Sequence, residues 1–154
     1  MREILFRGKR YSDGEWVEGS LLAWPDGSTE MCYDNPESDD ESLKSIVYPE
    51  TVGQYTGLTD KNGKKIFEGD VLSYDFVGEG FVTGEADIPQ RDIFVVTWRD
   101  GKWDGWQMWE RMTDHEREAL GFCDGDSINS KECRKMEVIG NIHDNPEFLE
   151  VPHE

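Results

Sequence analysis

The sequence predicts a mostly β fold, and three observations carry that expectation. Asn or Asp precedes Gly at Asp13-Gly14, Asp26-Gly27, Asn62-Gly63 and Asp100-Gly101, each time beside short runs of aromatic and β-compatible residues. These dipeptides tolerate the φ > 0 that tight turns demand, so each marks a hairpin. The segment VLSYDF alternates Leu72, Tyr74 and Phe76 against Ser73 and Asp75, the period of a half-buried strand. Helix start and stop signals come together at one short stretch, Thr113 to Gly121.

Taken from the N-terminus, residues 2–31 hold two of the turns and read as a β-meander of two hairpins. Asp34 to Glu41, DNPESDDE, joins like charges to a proline without an apolar residue and reads as a solvated loop. A strand at Ile46 to Tyr48 leads into TVGQYTGLTDKNGKKIFEGDVL, Thr51 to Leu72. Its four glycines and its lysines raise the question of a phosphate loop, where bare N–H groups and an ammonium meet phosphate oxygens. The spacing is wrong for one. Walker A needs G-x-x-x-x-G-K-[ST], but Gly57 and Gly63 are set differently, and Lys64-Lys65 leaves no hydroxyl for magnesium. Nor do Gly53, Gly57 and Gly63 form the dinucleotide fingerprint G-x-G-x-x-G. A scaffold hairpin fits instead: a two-residue type I′ turn at Asn62-Gly63 between strands at Tyr55 to Leu58 and Lys65 to Phe67. Gly69-Asp70 makes the next structural turn, before VLSYDF.

The stretch VGEGFVTGEADIPQRD has no clean period and reads as a long excursion between two strands of one sheet. DIFVVTWRDGKWDGWQMW is a hairpin about Asp100-Gly101. A two-residue turn there sets Trp98 opposite Trp103, with Phe94, Val96 and Trp109 on their face and Ile93, Val95, Trp106 and Met108 on the other. With both faces apolar, the hairpin is either central or exposes aromatic surface. Trp98, Trp103, Trp106 and Trp109 are therefore either core or a binding surface. The short helix has Thr113 as N-cap, Glu116 at the capping-box position and Gly121 as its stop. The strand MEVIGNI and the tail HDNPEFLEVPHE close the chain.

A length of 154 residues suits one domain that buries its own core. Acidic residues outnumber basic ones 34 to 16, and the net charge of -18 repels DNA, RNA and anionic lipid. Direct nucleic-acid and membrane partners are not expected. Three cysteines, Cys32, Cys123 and Cys133, form no C-x-x-C pair or even set, which points to a reducing compartment. Without a signal-like or membrane-length apolar run, the chain reads as soluble and cytoplasmic.

Three blocks resemble the YopX family, small proteins typically encoded by phages and prophages: REILFRGKR with GEWVEGSL, PETVGQYTGLTDKNGKKIFEGDVL, and EVIGNIHDNPEFL. They reach both ends and the middle, so the resemblance covers nearly the whole of 1–154 as a single domain. The regions near 34–45, 77–91 and 112–134 fall outside them and look like variable loops. The resemblance implies a mostly β fold: a small Src-homology-3-type, partly open β-barrel with the N-terminal β-meander and one short helix. It implies no reaction and no catalytic residues.

His115, Cys123, Cys133 and His143 are the residue types of a tetrahedral zinc set, but none form the close pairs from which one turn presents two ligands. DGDSINS is similar to a calcium loop, yet Asn129 occupies the glycine position and Lys135 the final glutamate position. No metal and no cofactor are expected. Carboxylates are too abundant for sequence to single out a catalytic pair. Two functions remain: a non-enzymatic module docking on a host or phage protein through its aromatic hairpin and loops, with a homo-oligomer as one form, or an acidic decoy that imitates DNA toward a basic host protein. A small enzyme acting on a nucleotide or sugar is the minor alternative.

Overall fold

The structure, a computed structural model, describes residues 3–78, 88–99, 101–105 and 130–149. It is mostly β, with antiparallel sheets and no fully closed barrel among the described strands. The chain divides into two compact units, Met1–Gly57 and Leu58–Glu154.

In the first unit, β1 (Phe6–Lys9), β2 (Trp16–Ala23), β3 (Thr29–Asn35) and β4 (Ser38–Ile46) follow one another as antiparallel hairpins. This is the expected meander, one strand longer. The start of β5 (Gly53–Thr59) returns beside β1, giving the order β4-β3-β2-β1-β5. Just past β4, Val47 bridges Arg10: Tyr11 N donates to Ile46 O at 2.9 Å and Tyr48 N to Lys9 O at 2.9 Å. The end of β4 thus meets the end of β1, and the meander curls into a partly open barrel. Inside it, Val17, Met31 and Val47 are buried, with Phe6, Leu21, Tyr33 and Val52 packed against them. Thr51 fastens the seam, its Oγ1 accepting from Lys9 N at 2.9 Å and donating to Tyr48 O at 2.7 Å.

The loop expected over 34–45 is strand. β3 and β4 pair from Glu30↔Ile46 to Asn35↔Ser38, and the turn is only Pro36-Glu37, tightened by Glu37 N on Asn35 Oδ1 at 3.0 Å. β4 lies at the sheet edge with Glu41 to Lys44 exposed, so it has little to bury and needs no apolar alternation. Its register slips beyond Asp34, and bulges and charges of this kind keep an edge from pairing with other chains.

In the second unit, the end of β5 turns into β6 (Lys65–Phe67), followed by β7 (Asp70–Gly78), β8 (Ile88–Arg99) and β9 (Lys102–Gly105). The one-turn α1 (Ser130–Cys133), β10 (Glu137–Asn141) and a 3-10 turn at Pro146–Leu149 complete the described part, and the sheet order is β10-β7-β8-β9, antiparallel. β7 is more buried than its alternation implies: Asp70, Val71, Leu72 and Ser73 are all buried, so both faces of the strand are covered over this stretch. The expected 77–91 loop loses both ends to β7 and β8. Residues 79–87, the Thr113 helix and 112–129 lie outside the described residues. The core is Ile66, Leu72, Phe94, Val96, Trp103, Cys133 and Met136.

The Asn62-Gly63 turn is a three-residue loop, not the expected two-residue type I′. Gly63 N donates to Asp60 O at 3.0 Å, and Asp60 N donates to Lys64 O at 2.9 Å. Lys61 and Asn62 are therefore the central pair of a β-turn, and Gly63, at φ +80°, is the left-handed residue that rejoins the strand. Asp60 selects this form. Its Oδ1 accepts from Asn62 N (2.8 Å) and Lys64 N (2.9 Å), and its Oδ2 accepts from Val138 N in β10 (3.0 Å). Burial pushes the Asp60 carboxyl up, but these donors and the Lys64 charge outweigh burial and hold it below the ordinary carboxylate value. Lys61 strengthens the same junction through N to Met136 O at 2.9 Å and an ion pair with Glu137.

At the next turn, Phe67 N donates to the buried Asp70 Oδ2 at 2.8 Å. Gly69, at φ +82°, donates from N to Val96 O in β8 (2.8 Å), and its O accepts from Ile142 N beyond β10 (2.9 Å). A Cβ there would lie 3.4 Å from Ile142 Cγ1, an ordinary contact, so it is the left-handed backbone angle that glycine answers.

Two predictions follow from these turns. A Cβ at Gly63 meets nothing within 4 Å, so Gly63→Val is a purely conformational insult; it should cost about 1–2 kcal/mol and lower the Tm without altering the far-UV spectrum. A Tm equal to wild type counts against the left-handed turn. For Asp60, a folded pKa below the unfolded one means stability is present above the unfolded pKa and lost as pH falls through the folded pKa. Asp60→Asn should cost on the order of 2 kcal/mol at neutral pH and flatten the acid side of the stability profile. Urea titrations from neutral to acidic pH check this; identical acid sensitivity in both proteins would discount the clasp.

Candidate functional site

The β8–β9 hairpin holds the aromatic residues that the sequence marks as candidate surface. It pairs Val96 with Gly105, Thr97 with Asp104, Trp98 with Trp103 and Arg99 with Lys102. That register leaves two residues in the turn, and Gly101 has φ +79°. Asp100, Trp106 and Trp109 lie outside the described residues.

The two described rings meet edge to face, their centroids 4.7 Å apart and their planes at 69°. Their surroundings differ. Trp103 is 8% exposed and belongs to the core, packed with Ile66, Leu72, Phe94 and Met136. Trp98 is 49% exposed, because it stands at the strand end where that core stops. The pair is therefore both core and surface: a locked ring supports a presented one. Trp103 Nε1 is buried with no hydrogen-bond acceptor among the described residues, an unusual state for an indole N–H.

The remaining candidates do not gather into a site. In the Asn62-Gly63 loop, the N–H groups of Asn62, Gly63 and Lys64 are all turned toward Asp60, so none is left to cradle a phosphate. Cys133 is fully buried in the core, and His143 sits in the turn beside Gly69. His115 and Cys123 lie outside the described residues, as does nearly all of DGDSINS. Among the described residues, no group of three His, Cys, Asp or Glu side chains is placed to hold a metal ion. None of the described helices is long and apolar enough to cross a membrane.

Three aromatic features in the first unit escape a reading by turns. Trp24, beside the Asp26-Gly27 turn, is 51% exposed. Exposed Tyr11 packs against Tyr48 with centroids 4.9 Å apart and planes tilted by 40°, beside the barrel seam. Beside β1, the Arg7 guanidinium lies 4.8 Å and the Lys9 ammonium 5.5 Å from the Trp16 ring centroid. The signal for that last group is present in the sequence: β1 places Arg7 and Lys9 on one face, and the Asp13-Gly14 turn sets Trp16 beside them.

No curated protein matches the chain. A solved structure, that of protein EF1440 from Enterococcus faecalis, is similar in fold, with a TM-score of 0.51 and 24% sequence identity over 97% of this chain and 100% of that one. The model of the YopX protein family matches residues 5–150, which take in all but the first three residues of the three sequence blocks, together with the barrel seam and the Asp60 junction. The chain belongs to the YopX family.

Proposed function

We propose that the chain is a phage- or prophage-encoded protein-interaction module without catalytic activity, docking on a host or phage protein in the bacterial cytoplasm through Trp98. The observation that carries this reading is the Trp98–Trp103 pair. A half-exposed indole braced against a core residue offers a partner a large contact at little ordering cost, which is how aromatic anchors come to dominate binding energy. The Src-homology-3-type barrel implied by the family blocks fits such a role, since those barrels commonly serve as recognition scaffolds.

The acidic decoy is the second reading, supported by the net charge of -18 and by the ordered strand geometry of Ser38 to Ile46. Salt separates the two. Charge-driven capture weakens steeply with ionic strength, whereas an aromatic anchor tolerates salt and fails on truncation.

The test is retention of proteins from a bacterial host lysate on the wild type and on Trp98→Ala, with the retained protein then titrated across salt. Trp98→Ala should abolish most binding while changing stability by less than about 1 kcal/mol. Trp103→Ala, by contrast, should cost on the order of 3 kcal/mol, readable by urea denaturation. A steep salt slope together with indifference to Trp98→Ala would transfer the reading to the decoy.

A further inference from the structure

Asn62 and Gly63 are both exposed, and nothing lies within 4 Å of where a Gly63 Cβ would be. An asparagine followed by glycine is chemically self-reactive. The main-chain nitrogen of the glycine attacks the asparagine Cγ, a C–N bond forms, and the side-chain amide leaves as ammonia, taking the proton from that nitrogen. The resulting five-membered succinimide is opened by water at either carbonyl. One opening gives aspartate; the other gives isoaspartate, with the main chain rerouted through the side chain and one carbon longer. Glycine permits this because it carries no Cβ to obstruct the approach.

In this fold the nucleophile is held. Gly63 N donates to Asp60 O, and the flanking Asn62 N and Lys64 N donate to Asp60 Oδ1. Attack therefore requires the turn to open first. The same aspartate carries the other half of the junction: Asp60 Oδ2 holds Val138 N, while Lys61 N holds Met136 O. A main chain lengthened between residues 62 and 63 does not keep Lys64 N and Asn62 N on one oxygen with Gly63 N still on Asp60 O.

We infer that Asn62 is a site of spontaneous conversion to isoaspartate, that Asp60 gates its rate, and that the conversion releases the start of β10 from the β5–β6 hairpin. This inference is independent of the docking role of Trp98. No enzyme or cofactor is needed; the only co-reactant is water. Aspartate formed at the same position leaves the main-chain length intact and so leaves the junction closed. The site thus distinguishes its two products by their effect on β10.

The experiment ages the full-length protein at mildly alkaline pH and maps isoaspartate by peptide mass analysis and by labelling with an isoaspartyl methyltransferase. Hydrogen exchange at Val138 is followed in parallel. Expected are isoaspartate at Asn62 ahead of every other asparagine, formed more slowly than in an unfolded peptide of residues 58–67, and lost exchange protection at Val138 in the modified fraction. Asn62→Gln should stay unmodified and protected on ageing. Asn62→Asp should stay protected, and Asp60→Ala should speed conversion toward the peptide rate. Equal rates in protein and peptide, modification spread over other asparagines, or full Val138 protection in the isoaspartate fraction would each overturn the inference. Should Asp60→Ala fail to fold, the aged wild type against Asn62→Asp still decides it.

Discussion

One buried carboxylate sets the conditions for the second unit. Asp60 is 3% exposed and would be costly to bury as an anion were it not for the three N–H groups that surround it. Two of those donors shape the loop, and the third belongs to a strand 78 residues away, so local turn chemistry and long-range strand placement share a side chain. Gly69 completes the arrangement from the other end of β6, bonding β8 through its N–H and the residues after β10 through its carbonyl. Between these two points β7 is enclosed on both sides, and the core that holds Trp103 forms around it.

That rigidity gives the exposed indole its meaning. An isolated tryptophan at a hairpin tip samples several rotamers and loses them on binding. Trp98 leans on a ring that belongs to the buried core, so most of that freedom is already spent in folding. The first unit treats aromatics differently. Trp16 is covered by two cations and Tyr11 lies on Tyr48, which uses the rings to shield the sheet face and the barrel seam.

Much of this was legible in the residues themselves. Asp13-Gly14, Asp26-Gly27 and Asn62-Gly63 each fall at a turn or beside one, and the Trp98↔Trp103 register follows from counting outward from Asp100-Gly101. Three features were not legible, for distinct physical reasons. The type of the Asn62-Gly63 turn depends on Asp60, two residues before the dipeptide and outside a two-residue rule. The β4 strand has a polar sequence because an edge strand exposes both its side chains and one row of its backbone, so neither periodicity nor apolar content identifies it. The burial difference between Trp98 and Trp103 arises from where the core ends, which facing positions on a strand pair do not encode.

The seam that curls the first unit has a consequence for the order in which it forms. β1 to β4 are joined by short turns and zip sequentially, each hairpin needing only a local loop to close. The Lys9–Thr51 bond spans 42 residues, and the Arg10↔Val47 bridge beside it has a similar reach, so neither is rewarded until the strands between them are in place. The seam is thus the last contact to form and the first to be lost in partial opening. In native-state hydrogen exchange, the amides of Tyr11 and Tyr48 should be released at a lower denaturant concentration than those of β2 and β3, making an open, uncurled sheet the first excursion of this unit from its folded form.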